Sequence, residues 1–477
     1  MNKYKTLAFN TVIFTIGNFG SKVISLLLNN LYTKNISPAD LFTKSLLETL
    51  ALFLIPVFTF SITEAVVRYG LDSGYDNRKV FTTSAAAMGL GFIPMLIIVP
   101  LLHFIPVFSR TSEYTLLLMI YIFTSSLRSV CSQFVRARGL VKLFSLDGIM
   151  TTLTLLIFNI VFISRLGMGV KGFMISTILS DLSSAVFLFV AAGLVRFIGR
   201  GYFDKSLMRS MLRFTLPLIP TTVMWTFTGF SDQLFIGNMK SDRVFLGEDA
   251  AGLYAAASKI PNLISMLSTI FFQAWNMSAI TENDSADREE FYEKVYTAYE
   301  AVLFIGSAGL LLLVKPISAL LINYSVFPEY KTAYLYSPLL IAAAVFTCLD
   351  LFLASIYTAT KHTKNAFVTI AVVCVMNIIL NLCIIPYWGI QGAALATFLS
   401  YLLCFWIRII DARYYVPYRF TAWKNLMNTG LLLLMCADVI FRPAGGIVWA
   451  AAIAAVIVWQ NYKPLMSAAL SIIKKKK

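Results

Sequence analysis

Long apolar runs separated by short polar turns fill the chain from residue 7 to residue 462. At about 20 residues per crossing, they predict an all-α integral membrane protein with about fourteen transmembrane helices. The first six runs cover 7–31, 43–68, 81–107, 113–135, 143–164 and 170–195. Six more cover 213–238, 249–276, 296–322, 332–358, 364–386 and 390–412, and a last pair covers 422–441 and 444–462. The longest connections, 196–212 and 277–295, are too short to fold as separate domains.

Polar residues within these runs are periodic. In the first run Thr11, Thr15, Asn18, Lys22, Ser25 and Asn29 recur at alternating spacings of four and three, which puts all six on one helix face. A lysine at membrane depth is costly unless it meets protein or water, so the stripe predicts a cavity wall. Helix-to-helix packing alone would account for the Thr and Ser but not for Lys22. Similar faces recur as Tyr121, Ser125, Arg128 and Ser132 in the fourth run, and as Thr221, Trp225, Thr228 and Asp232 in the seventh. The eighth carries Lys259, Asn262, Thr269 and Gln273.

The charged residues within runs include Lys22, Glu64, Arg128, Asp147, Asp181, Asp232, Lys259, Asp350 and Asp438. If Lys22, Arg128 and Lys259 share one cavity, it is cationic and suits a phosphate or pyrophosphate, gripped by Arg bidentately and by Lys as a point charge. The competing expectation is internal pairing, of Lys22 with Asp232 or of Arg128 with a nearby carboxylate. Asp147, Glu64 and Asp350 lie nearer the run ends, where ion-pair partners are the commoner role. Asp181, Asp232 and Glu64 are the candidates for ion coupling, Asp181 being the acid closest to mid-membrane.

Composition agrees with a membrane protein. The 477 residues are 58% hydrophobic and 13% charged, with mean hydropathy +0.76; a soluble chain carries about twice that charged fraction. The first run is too long for a signal-peptide core and no small-residue cleavage site follows it, so it is expected to stay as a helix. The net charge of +15 comes from short loops and so concerns orientation in the membrane, with no nucleic-acid partner implied. With both termini cytoplasmic, 26 of the 39 basic residues, Arg408 among them, fall on the cytoplasmic side and 10 on the other, the latter including Lys34, Lys44 and Arg110. The acidic stretch 282–294 departs from this bias and reads as a solvated helix along the surface. Cys131, Cys348, Cys374, Cys383, Cys404 and Cys436 sit in apolar runs without a C-x-x-C pair, and His103 and His362 stand apart, so no metal site is expected.

The halves resemble each other. Ala137, Lys142 and Asn159 recur as Ala359, Lys364 and Asn381, an offset of 222. Two residues are then lost, and Gly169, Gly172, Thr177, Leu179 and Ser180 recur as Gly389, Gly392, Thr397, Leu399 and Ser400, an offset of 220. A repeat whose copies begin on the same side is parallel, about an axis along the membrane normal. It implies an N-terminal six-helix lobe over 1–195, a cytoplasmic loop over 196–212 and a second six-helix lobe over 213–412. Two extra helices and a basic cytoplasmic tail would fill 413–477.

Walker and nucleophile-elbow motifs are absent from the sequence, and no external loop is large enough for the acidic residues of a membrane glycosyltransferase. The segments S-D-Q-L-F-I-G (231–237), A-G-L-Y-A-A-A-S-K-I (251–260) and N-x-x-x-x-P-x-x-G-I-Q-G-A-A-L-A-T-x-x-S (381–400) resemble bacterial polysaccharide exporters. These are the O-antigen-type oligosaccharide flippases of the multidrug/oligosaccharidyl-lipid/polysaccharide superfamily. The resemblance implies two lobes that alternate access. It also implies an undecaprenyl-pyrophosphate-linked oligosaccharide carried from the cytoplasmic to the outer leaflet of the bacterial inner membrane. By position, Asp232 and Lys259 match polar residues of the family; Lys22 and Arg128 rest on the physical argument.

A flippase for surface polysaccharide biosynthesis is therefore the leading expectation, with no cofactor and with proton, sodium or membrane potential open as the driving force. Its partners would be the lipid-linked oligosaccharide, membrane lipids, and a polymerase or glycosyltransferases of the same pathway. The alternative is a cation-coupled multidrug antiporter of the same superfamily, and buried cations would repel its cationic drugs. A membrane enzyme of envelope assembly is a third reading, disfavoured by the short loops.

Overall fold

In a bilayer the backbone must satisfy its own hydrogen bonds, and apolar runs of this length can do so only as helices. The computed structural model describes residues 24, 27–72, 74–281, 288–360, 363–417, 419–441 and 447–474, and no strand occurs among them. Nine helices among the described residues are long and apolar enough to cross a membrane. Thr11, Thr15, Asn18, Lys22 and Ser25 lie outside the described residues, as does the side chain of Gln273.

The chain divides into two compact units, Met1–Phe230 and Ser231–Lys477. The first begins with α1 (27–35) and continues through α2 (Pro38–Phe58), α3 (Ile62–Leu71), α4 (Asn77–Leu101), α5 (Thr115–Ala137) and α6 (Val141–Asn159). It ends with α7 (Gly169–Ala191), α8 (Lys205–Thr215) and the start of α9 (Ile219–Asn238). Within this unit α7 packs along α5 and α6, and α3 packs on α4, α5 and α8.

Two departures from the predicted runs affect the interior of the first unit. Ser37 caps α2, its Oγ accepting the Asp40 N–H at 3.2 Å with Pro38 in the first turn, so the helix starts five residues before the predicted 43. Lys44, expected on an outer flank, is thereby inside a helix and buried. The predicted run 43–68 is also broken between α2 and α3. Phe60 and Ser61 take left-handed φ values of 55° and 50° there, four residues after Pro56. Gly91 of α4 packs against that break, where a Cβ would lie 1.6 Å from the Phe58 carbonyl oxygen.

The second unit holds α10 (Glu248–Ala257), α11 (Asn262–Thr281), α12 (Arg288–Leu312), α13 (Val314–Leu321) and α14 (Ser337–Ala359). It continues with α15 (Thr363–Ala412), α16 (Ala422–Phe441) and α17 (Ile447–Lys474). Helix α15 has two arms that meet at Gly389, whose φ of 57° only glycine adopts without strain. Gly169, its partner in the repeat, has φ 52°. Added Cβ atoms at Gly172 and Gly392 would each lie 3.0 Å from a carbonyl oxygen, of Phe162 and Ile384 respectively. The matched glycines thus make the same turn and the same close approach in each unit.

Three expectations are corrected in the second unit. The run 249–276 is not one helix, because Pro261 has no N–H for the ladder and residues 258–261 form turns between α10 and α11. Of the acidic stretch, residues 288–294 are the first turns of α12 and not a separate surface helix; Glu290 and Lys294 pair along it. Arg408, expected on the cytoplasmic flank, is only 1% exposed, because the second arm of α15 continues to Ala412.

The last two helices are joined to the unit by amides. Asn425 Nδ2 donates to Glu300 Oε1 at 2.8 Å, tying α16 to α12. Asn461 and Asn428 exchange amide bonds of 2.9 and 3.3 Å between α17 and α16. Buried side-chain amides of this kind hold membrane helices together where apolar packing alone gives little selectivity.

Candidate functional site

Each unit buries a polar cluster of its own. In the first, the polar face of α5 meets α7. Arg128 Nη1 lies 3.4 Å from Asp181 Oδ1, and its Nε donates to Ser184 Oγ at 3.2 Å. Ser125 donates to the other Asp181 oxygen. Ser184 in turn donates to Asp147 Oδ1 of α6 at 2.5 Å. Ser180 donates to the Thr151 carbonyl at 2.7 Å, and Ser132 is buried beside Asp147.

One cation therefore stands among two carboxylates on three helices. The spacing of Ser125 and Arg128, read from sequence as one polar face, brings both to Asp181. The carboxylate is 6% exposed, whereas the Arg128 side chain keeps 33% of its surface open. The acid is thus enclosed, while part of the guanidinium side chain stays open and is fixed in direction by Asp181 and Ser184.

A second cation of this unit escaped the sequence reading. Lys44 Nζ pairs with Glu48 at 2.9 Å and lies 4.6 and 4.3 Å from the ring centroids of Tyr32 and Phe173. Asn159, the residue that the repeat matches to Asn381, is buried and its Nδ2 donates to the Leu155 carbonyl at 2.7 Å. Two rings and a carboxylate account for a buried lysine without a ligand. Asn29 of α1 is buried. Glu64 is exposed on α3, away from this interior.

In the second unit Asp232 is the centre. Its Oδ2 accepts from Tyr254 of α10 at 2.5 Å and from Thr397 of the second α15 arm. Its Oδ1 accepts from Asn381 at 2.7 Å and Asn377 at 3.4 Å, both on the first arm. Ser231 donates to Asn377 Oδ1 at 2.6 Å. Asp232 is 2% exposed, and no cation lies within ion-pair distance of it among the described residues. Four neutral donors around one acid fill its acceptor sites and stabilise negative charge without cancelling it.

Thr221, Trp225 and Thr228 continue the Asp232 face along α9, with Thr228 buried and the other two half-buried. Lys259 sits half-buried in the turn after α10, and Asn262 is exposed at the start of α11. The break separates Lys259 from Asn262 and Thr269, so the predicted continuous stripe does not form.

A further buried pair was also missed from sequence. Arg408 donates through Nε to Thr369 at 3.0 Å and through Nη1 to the Asp350 carbonyl at 2.9 Å. Asp350 is fully buried, yet neither carboxylate oxygen has a hydrogen-bond partner among the described residues. By the repeat offset of 222, Asp350 stands where the first unit has Arg128. The fourth and tenth runs thus carry opposite charges at matched positions. Among the described residues no three His, Cys, Asp or Glu gather as a metal-binding group.

The fold, with its polar clusters buried between helices, is that of a multi-pass membrane protein. A family model described as "Polysaccharide biosynthesis protein" matches residues 7–276, and the chain belongs to that family. Among solved structures, a lipid II flippase MurJ in an inward closed conformation is similar with TM-score 0.69 and 17% identity, covering 98% of this chain and 100% of that one. An inward-facing multidrug resistance MATE transporter of the MOP superfamily is similar with TM-score 0.63 and 14% identity, over 84% of this chain and 95% of that one. A Vibrio cholerae MATE transporter variant has TM-score 0.59 and 12% identity, over 86% and 96%. No curated protein sequence matches the chain.

Proposed function

We propose that this protein is a flippase that carries an undecaprenyl-pyrophosphate-linked oligosaccharide from the cytoplasmic to the outer leaflet of the bacterial inner membrane. Its two six-helix lobes alternate access and both termini are cytoplasmic. Membership of the polysaccharide biosynthesis family is the observation that carries this proposal. Arg128, tied to Asp181 on one side and open on the other, supplies a cation for the pyrophosphate. Lys22 and Lys259 are the other basic candidates. Asp232, rather than Asp181 or Glu64, takes the coupling ion, because Asp181 is engaged with Arg128 and Glu64 is exposed. A cation-coupled antiporter of the MOP type would also use Asp232, but a presented guanidinium disfavours its cationic cargo.

The test is complementation. In cells lacking the gene, wild-type chain restores surface polysaccharide, and Arg128→Ala at equal membrane abundance does not. Unchanged polysaccharide in the deletion strain, with a gain in drug sensitivity, would overturn the proposal in favour of the antiporter.

A further inference from the structure

Helix α8 carries two stripes. Leu207, Met211 and Thr215 are buried against α3 and α4. Lys205, Arg209 and Arg213 are exposed and make no ion pair among the described residues. Each stripe steps by four, and the two are offset by two residues, or about 200° around the helix. Burial of the first stripe therefore turns the second outward. Arg68, at the end of α3, adds a fourth cation: its guanidinium lies 4.5 Å from the Phe214 ring centroid, next to Arg213.

Large apolar side chains are exposed in the chain around α8. Val195, Ile198 and Phe203 precede the helix with 69%, 49% and 45% of their surface open, and Leu216 follows it with 48%. The segment is also held in place. Asp204 caps α8 through the Ser206 and Leu207 N–H groups, both at 3.0 Å, and pairs with Lys79 at 3.2 Å. Arg78 donates to the Tyr202 hydroxyl at 3.0 Å, and Thr82 to the Phe197 carbonyl at 2.6 Å.

We infer that the outer face of α8 is a binding surface for anionic phospholipid headgroups of the surrounding leaflet. A row of unpaired cations four residues apart matches successive phosphates, and exposed Val, Ile and Phe before the helix and Leu after it suit the boundary between headgroup and acyl chain. A soluble anion would draw on the cations and leave the apolar rim in water. The inference stands apart from the substrate assignment, since none of these residues belongs to either interior cluster.

The test uses the purified full-length chain in neutral detergent, with phosphatidylglycerol or phosphatidylethanolamine added and bound lipid counted by native mass spectrometry. Wild type is expected to prefer phosphatidylglycerol, and the variant Lys205→Gln/Arg209→Gln/Arg213→Gln to lose that preference by about 100-fold at low salt, given roughly fivefold per charge. A control, Lys34→Gln/Lys240→Gln/Lys331→Gln, removes equal charge elsewhere and should keep it. Both variants should match wild type in elution and in Tm without lipid. Equal loss in the two variants, or none in the first, would overturn the inference. So would displacement of phosphatidylglycerol by millimolar inorganic pyrophosphate, which would assign the surface to a free phosphate.

Discussion

Arg128 and Asp181 meet at 3.4 Å between α5 and α7, with the acid enclosed and a third of the arginine side chain open. An ion pair of this shape serves as a mount: the carboxylate fixes the guanidinium, and the free edge remains available. In the proposed function that edge meets the pyrophosphate.

A mount and a plain structural pair respond differently to exchange. Arg128→Asp combined with Asp181→Arg should preserve the pair and keep membrane abundance close to wild type, while export falls to background. Recovery of export by the exchanged pair would show that Arg128 serves only to neutralise Asp181. Asp181→Ala alone should cost about 2 kcal/mol of stability, less than the loss on breaking a fully buried pair, read as a lowered Tm.

Asp232 is held by neutral donors, so its substitutions should separate coupling from folding. Asp232→Asn keeps the shape and removes the charge. It should leave abundance within about twofold while abolishing ion-dependent transport in proteoliposomes. Tyr254→Phe removes one bond to the carboxylate, worth about 1.5–3 kcal/mol to a charged group, and should shift the ion concentration for half-maximal transport by at least tenfold. Full ion-dependent transport by Asp232→Asn would remove this residue from the mechanism.

The packing of α4 on the break after α2 depends on one missing side chain. Gly91→Ala would place a Cβ 1.6 Å from the Phe58 oxygen, and backbone cannot yield as a flexible side chain does. A loss of about 3 kcal/mol or more is expected, seen as poor yield and a lowered Tm. Gly89→Ala on the same helix meets nothing within 4 Å and should be neutral or mildly stabilising.

The cap of α8 gives a pH dependence of known sign. The Leu207 N–H and then the Lys79 ammonium hold the Asp204 carboxyl below the usual carboxylate range. A depressed folded value means that its stabilisation is complete above the unfolded value of about 3.9 and fades as pH falls through the lower folded value. Amide exchange at 205–208, corrected for intrinsic rates, should therefore stay protected at pH 5 and rise only below about pH 4. In Asp204→Ala the protection should be weaker throughout and flat across that range.

The elements most legible in the sequence are those that the backbone dictates. Gly169 and Gly389 were matched by spacing alone, and both take the left-handed turn with the same carbonyl approach three residues later. Ser125 and Arg128, read as one face, converge on one acid. Lys44 and Arg408 were misread because a charge near the end of an apolar run looks the same whether it reaches water or turns inward. Only the rings of Tyr32 and Phe173, or the Asp350 carbonyl and Thr369, decide between these, and they come from distant parts of the chain. Asn377 and Asn381 are ordinary amides until the two arms of α15 bring them, with Thr397, around Asp232. Pro261 did carry a local signal for the break beside Lys259, which the length of the apolar run concealed.

The most direct measurement is translocation itself. Purified protein is reconstituted into liposomes with a fluorescent undecaprenyl-pyrophosphate-linked oligosaccharide, and a membrane-impermeant quencher reports the leaflet it occupies. Wild type should move the lipid across the bilayer, faster under an ion gradient, with Arg128→Ala at background and Asp232→Asn unresponsive to the gradient. Translocation by wild type no faster than in protein-free liposomes, or equal rates for wild type and Arg128→Ala, would contradict the assignment.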